Sequence, residues 1–145
     1  YLLVTDVVLR GTMQLTQAVL PAMRRQRGGS VIVISSMSAQ QGGGVFGGAH
    51  YCAAKAGVLG FTRALARECG PEGIRANAIA PGLVLTDFSR SGRSDDEKHA
   101  SAHGWPLARA GSADEIAGAC LFLASDLSTY VTGTTLDVNG GAHMR

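Results

Sequence analysis

The chain has 145 residues, 46% hydrophobic and 17% charged, with 20 glycines and a net charge of +2. That balance suits one globular, turn-rich domain and argues against a disordered chain or a broad polyanion-binding surface. Basic residues cluster only at Arg24, Arg25 and Arg27, a short helix-end run, and no apolar run approaches the roughly 20 residues of a membrane span.

The chain opens on Tyr1 inside an amphipathic pattern, which leads us to expect a piece whose beginning lies upstream. A helix is predicted from about Asp6 to Arg25, with Val8, Leu9, Met13, Leu15, Val19, Leu20 and Met23 near helical spacing. Pro21 should kink it or open its last segment. Gly28-Gly29 should stop it. Ser30–Ser35 has an unbroken β-branched centre, the mark of a strand buried on both faces. A glycine-rich loop, Gly42–Gly48, should be mobile or closely packed against something.

A long helix is predicted from Ala49 to Cys69, ended by Gly70-Pro71. Ile74–Ile79 reads as a second buried strand, closed by Pro81-Gly82. Residues 83–105 read as a long polar connection without strong structure, with a charged centre at Asp95-Asp96-Glu97-Lys98. Such a length suggests a lid or binding loop. Ser112-Ala113-Asp114-Glu115 spells a capping box opening a helix to about Ala124. Thr135–Val138 is a last short strand before Asn139-Gly140-Gly141. The alternation predicts an α/β fold with a parallel sheet and flanking helices.

Cys52, Cys69 and Cys120 are odd in number and lack metal-ligand spacing, as do His50, His99, His103 and His143. They predict a reducing, cytoplasmic setting and no metal site.

The chemistry-bearing residues gather at one predicted sheet edge. Tyr51 and Lys55 stand four apart, so on a helix they share a face. An ammonium beside a phenol favours the phenolate, and such a tyrosine can act as general acid or base toward an alcohol oxygen. Ser36 follows the first strand, where ligands bind in open parallel sheets. Its hydroxyl could orient a substrate oxygen, with Ser38 a weaker competitor. Pro81-Gly82-Leu83-Val84-Leu85-Thr86 follows the second strand at the same edge. It offers backbone groups and the Thr86 hydroxyl to a flat, amide-bearing ring. Each motif alone also fits an ordinary turn or surface pair.

Taken in order, these stretches resemble the short-chain dehydrogenase/reductase family, nearest in look to its 3-oxoacyl-carrier-protein reductase-like ketoreductases. The matching runs include Gly11–Ala18, Val31–Ser36, Tyr51–Leu65, Gly73–Asp87, Pro106–Glu115 and Tyr130–Gly141. The resemblance implies the C-terminal portion of a doubly wound Rossmann-like sheet, with residues 1–145 one part of a single domain. The dinucleotide-binding half would lie upstream, leaving an open sheet edge. It implies an NAD(P)-dependent oxidoreductase interconverting a secondary alcohol and a ketone, with NAD or NADP as cofactor.

By the same resemblance, Tyr51 is the acid/base, Lys55 tunes it and binds the nicotinamide ribose, and Ser36 orients the substrate. Tyr51, Lys55, Pro81, Gly82, Val84 and Thr86 bind the cofactor, and Asn77 is structural. A homodimer or homotetramer is implied, without nucleic acid or membrane. The chain departs from the pattern at Val8, where the family carries an asparagine of the proton relay; valine cannot hydrogen-bond through its side chain. The loop between Ser36 and Tyr51 is also slightly longer than usual. The alternative is a catalytically inactive relative serving as a structural or oligomerisation partner. Phe88, His103 and Trp105 hint at a partly apolar substrate pocket.

Overall fold

A computed structural model describes residues 1–43, 47–87 and 93–144. The expectation for Phe88 therefore lies outside the described residues. The first helix is longer than its periodicity suggests. A short turn, α1 (Leu2–Thr5), runs without a break in right-handed backbone through a π-helical segment, Asp6–Arg10, into α2 (Gly11–Gln26). Pro21 lies inside α2, which continues past it. The stop is Arg27, not Gly28: Arg27 takes the left-handed conformation at φ 52°, and the Gly28 amide closes on the Met23 carbonyl at 3.2 Å.

Three strands, β1 (Gly29–Ile34), β2 (Ile74–Pro81) and β3 (Thr135–Val138), form a parallel sheet in the order β1-β2-β3. Gly29 pairs with Ile74 and Ile34 with Ile79; Ala78 pairs with Thr135 and Pro81 with Val138. After a short helix, α3 (Ser38–Gln41), the long α4 (Ala49–Cys69) crosses from β1 to β2 with the predicted bounds.

The faces follow the two-residue alternation of the strands. On one face Leu65, Ala66 and Cys69 of α4 pack with Ile74 and Ala76, joined by Leu20, Met23 and Val31. On the other face the Ser30 hydroxyl donates to the Leu123 carbonyl and Arg75 donates to the carbonyls of Ser125 and Val131. Helices therefore cover both faces. Only β2 is buried throughout its centre; β1 is half-buried and its Ile34 is 43% exposed. The hydrophobic run of β1 promised two-sided burial, but β1 is the edge strand among the described residues.

Residues 83–105 depart from the expected loop. They contain α5 (Asp95–Ser101), opened by a full capping box of Ser94 and Glu97. The predicted box at Ser112 and Glu115 is also complete and opens α6 (Ala113–Ala124). The three cysteines are free, and no His/Cys/Asp/Glu cluster among the described residues could hold a metal. Among those residues, no helix is long and apolar enough to cross a membrane.

Candidate active site

The carboxyl ends of the strands bring the predicted residues to one edge. Past Ile34 the ladder continues: the Ser35 amide donates to the Ile79 carbonyl at 2.7 Å and the Met37 amide to the Pro81 carbonyl at 2.9 Å. Ser36 is thus held between two backbone bonds to β2. Its Oγ accepts from the Ser38 amide at 3.1 Å, a serine turn that opens α3. Ser38 itself is buried, so of the two candidates Ser36 is the half-buried one at the edge.

Tyr51 and Lys55 lie in the first turns of α4. The Lys55 ammonium donates to the Ile34 carbonyl at 2.7 Å, and Ser35 Oγ donates back to the Lys55 carbonyl at 2.8 Å. This two-way lock fixes α4 against the end of β1. It leaves Lys55 Nζ 5.8 Å from the centroid of the Tyr51 ring, a cation–π distance. Burial holds the lysine pKa below its ordinary 10.5. The glycine-rich loop is closely packed where it meets this ring. Gly47 has φ +95°, and a Cβ there would collide with the Tyr51 ring.

The second turn is built as tightly. The Gly82 amide donates to the Val138 carbonyl at 3.0 Å, and a Cβ on Gly82 would stand 2.9 Å from Asn139 Cα. Val84 forms an isolated parallel bridge with Gly111. Its bonds run through the neighbours: Leu85 N–H to the Gly111 carbonyl and Gly111 N–H to the Leu83 carbonyl, both at 2.9 Å. In a parallel ladder that leaves the N–H and C=O of Val84 directed away from Gly111. They form a donor–acceptor pair of the kind a primary carboxamide takes. Asn77 is fully buried, donating to the Val131 carbonyl at 2.9 Å and accepting from the Thr134 amide at 3.1 Å; its part is structural, tying β2 to the approach to β3.

A model of the enoyl-(acyl carrier protein) reductase family matches residues 1–143. The chain belongs to the short-chain dehydrogenase/reductase family. An uncharacterized short-chain type dehydrogenase/reductase, y4mP, of Sinorhizobium fredii is 51% identical over 138 residues, covering 95% of this chain and 54% of that protein. The 3-oxoacyl-(acyl-carrier-protein) reductase FabG of Escherichia coli is 44% identical over 141 residues, 97% of this chain and 57% of FabG. A crystal structure of a 3-oxoacyl-(acyl-carrier protein) reductase with bound NAD from Brucella melitensis superposes with a TM-score of 0.84. It is 37% identical and covers 97% of this chain and 50% of that one. The chain thus spans about half the length of the relatives it matches.

Sequence reasoning missed several parts of the site. Nothing local distinguishes Ser35 from its neighbour, yet its hydroxyl anchors α4. Gly111 reaches Val84 from a distant segment, and Lys98 lies close by, its ammonium on the Thr86 carbonyl. The π segment holds Val8, whose carbonyl accepts from Thr12 Oγ1 at 2.6 Å. The same segment packs Leu9 within 3.1 Å of where a Gly57 Cβ would stand on α4.

Proposed function

We propose that this chain is the C-terminal, nicotinamide-proximal part of an NAD(P)-dependent oxidoreductase that interconverts a secondary alcohol and a ketone. The dinucleotide-binding half of the same Rossmann-like domain would then lie upstream. One observation carries the reading: the Lys55 ammonium, fixed by the Ile34 carbonyl, stands beside the Tyr51 ring at the carboxyl edge of a parallel sheet. A bound NAD or NADP would supply or accept the hydride.

The chain's own residues handle the proton and the positioning. Tyr51 gives its phenolic proton to the carbonyl oxygen in reduction and takes it back in oxidation. Lys55 stands beside the Tyr51 ring, and its remaining N–H donors suit ribose hydroxyls. Ser36 holds the substrate oxygen beside Tyr51. Pro81 and Gly82 set the turn, the outward N–H and C=O of Val84 meet the carboxamide, and the Thr86 hydroxyl adds a further contact. The names of the relatives make a 3-oxoacyl thioester the first ketone to try. A homodimer or homotetramer, built through the helix faces at residues 8–23 and 56–66, and a cytoplasmic setting belong to the same reading.

A second reading, an inactive relative with a structural or oligomerisation role, draws support from Val8 at the family's asparagine position. Losing one relay group slows proton transfer without abolishing it, so the enzyme reading stands first. The full-length polypeptide, assayed with NADH, NADPH and a ketone panel, should turn over. Tyr51→Phe should lower kcat by about 10² to 10⁴. No turnover, or turnover indifferent to Tyr51→Phe, would sink the mechanism.

A further inference from the structure

The chain holds only two lysines, Lys55 and Lys98. Both place their ammonium on a main-chain carbonyl just past or at the end of a strand. Lys98, on α5, is only 6% exposed. An ammonium is seldom buried so far unless it is paired and hydrogen-bonded. Its Nζ lies 3.2 Å from the Thr86 carbonyl and 3.3 Å from an Asp95 carboxylate oxygen. The Asp95 side chain is 68% exposed. A helix-surface ion pair at this spacing needs no burial, so the Asp95 pair alone does not account for the burial of Lys98, whose other partner is the Thr86 carbonyl.

The next residue of α5 is tied to a segment that reaches the same turn. The Ala110 amide donates to His99 Nδ1 at 3.3 Å, and the next residue, Gly111, bridges Val84. Successive residues of α5 thus reach the turn, Lys98 directly and His99 through the segment bridged to Val84.

We infer that Lys98 is a positioning residue of the nicotinamide turn, coupling the seating of α5 to the placement of Thr86. This rests on the reading of Val84 and Thr86 given above. Because the bond is to the Thr86 carbonyl, it fixes the peptide plane after Thr86 and the backbone that carries its hydroxyl. Coupling of this kind is reciprocal: whatever the ligand gains from a seated α5, α5 gains from the ligand.

The test uses the full-length polypeptide and two probes, the nicotinamide dinucleotide and ADP-ribose (or its 2′-phosphate), which lacks the nicotinamide. Affinities are measured by calorimetry, and amide hydrogen exchange is followed over Asp95–Ser101. Lys98→Met should weaken dinucleotide binding about tenfold and abolish the protection that the dinucleotide confers on α5. ADP-ribose affinity should stay within about twofold, and Lys98→Arg should recover part of the loss. Equal weakening of both probes, or unchanged dinucleotide affinity, overturns the inference. Thr86→Val separates the layers. If it leaves dinucleotide affinity unchanged, the contact assigned to Thr86 falls and this inference with it. If it weakens binding while Lys98→Met does not, only the role of Lys98 falls.

Discussion

Tyr51 is flanked by a charged neighbour and by one without a side chain: Lys55 Nζ lies 5.8 Å from its ring centroid, and Gly47 packs against the ring. Gly47 and Gly42 both have positive φ, +95° and +86°, but among the described residues nothing lies within 4 Å of a Cβ built on Gly42. An alanine at either site meets the left-handed strain of about 1 to 2 kcal/mol. Only Gly47→Ala must also push the tyrosine ring aside. Gly42→Ala should therefore lower stability by about 1 kcal/mol and leave kcat alone, while Gly47→Ala should lower both. Thermal melts and steady-state assays of the pair would show it. Equal kcat values would mean that the glycine does not hold the ring. The sequence predicts only that Gly42–Gly48 is mobile or closely packed; it does not single out which of these look-alike residues meets the ring. By contrast the places of Ser36, Tyr51 and Lys55 in the fold were legible, because each lies in a local pattern of its own: a strand end, or a four-residue helical spacing.

Two helices begin with the same spelling, serine followed three residues later by glutamate. At Ser112 the signal was read and α6 begins there. At Ser94 the identical box opens α5, yet the run Asp95-Asp96-Glu97-Lys98 looked like a solvated connection. Charge hid a helix whose start was spelled out, and Lys98 proved to be buried. Position Arg27 failed differently: the glycine rule pointed to Gly28, and an arginine took the left-handed turn. At α6 the box is reinforced. Arg109 places two guanidinium nitrogens 2.9 and 2.5 Å from the Glu115 carboxylate, and the Ser112 amide donates to it at 2.8 Å. With the Arg109 bond foremost, these hold the Glu115 pKa at about 2, against an ordinary 4.5. The folded value lies below the unfolded one, so the contribution is present above the unfolded value and fades as pH falls from there toward about 2. Denaturation midpoints of wild type and Glu115→Gln should differ at neutral pH and converge across that acid window. A gap independent of pH would show that the carboxylate charge is not what matters.

On the scale of the molecule, the sheet has an edge at β1, with Ile34 exposed at its end. An uncovered edge strand is a template for pairing with another chain. The 145-residue chain made alone should self-associate as its concentration rises, whereas a polypeptide carrying the upstream half proposed above should form a closed oligomer of fixed size. Light scattering coupled to size exclusion would distinguish them, and a monodisperse monomer of the short chain would count against an upstream half that covers β1. The fold class was legible because three strands and their intervening helices follow one another in order. The ties between distant segments, Val84 to Gly111 and Ser35 to the Lys55 carbonyl, were not, since neither has a local pattern. The parallel pairing of β1 with β2 also bears on how the chain folds. No hairpin can set that register, because a parallel pair needs a crossover, and here the crossover contains α4. That helix also carries Tyr51 and Lys55. The pairing of β1 with β2 and the placing of Tyr51 and Lys55 at the carboxyl edge of β1 therefore depend on one and the same segment of the chain.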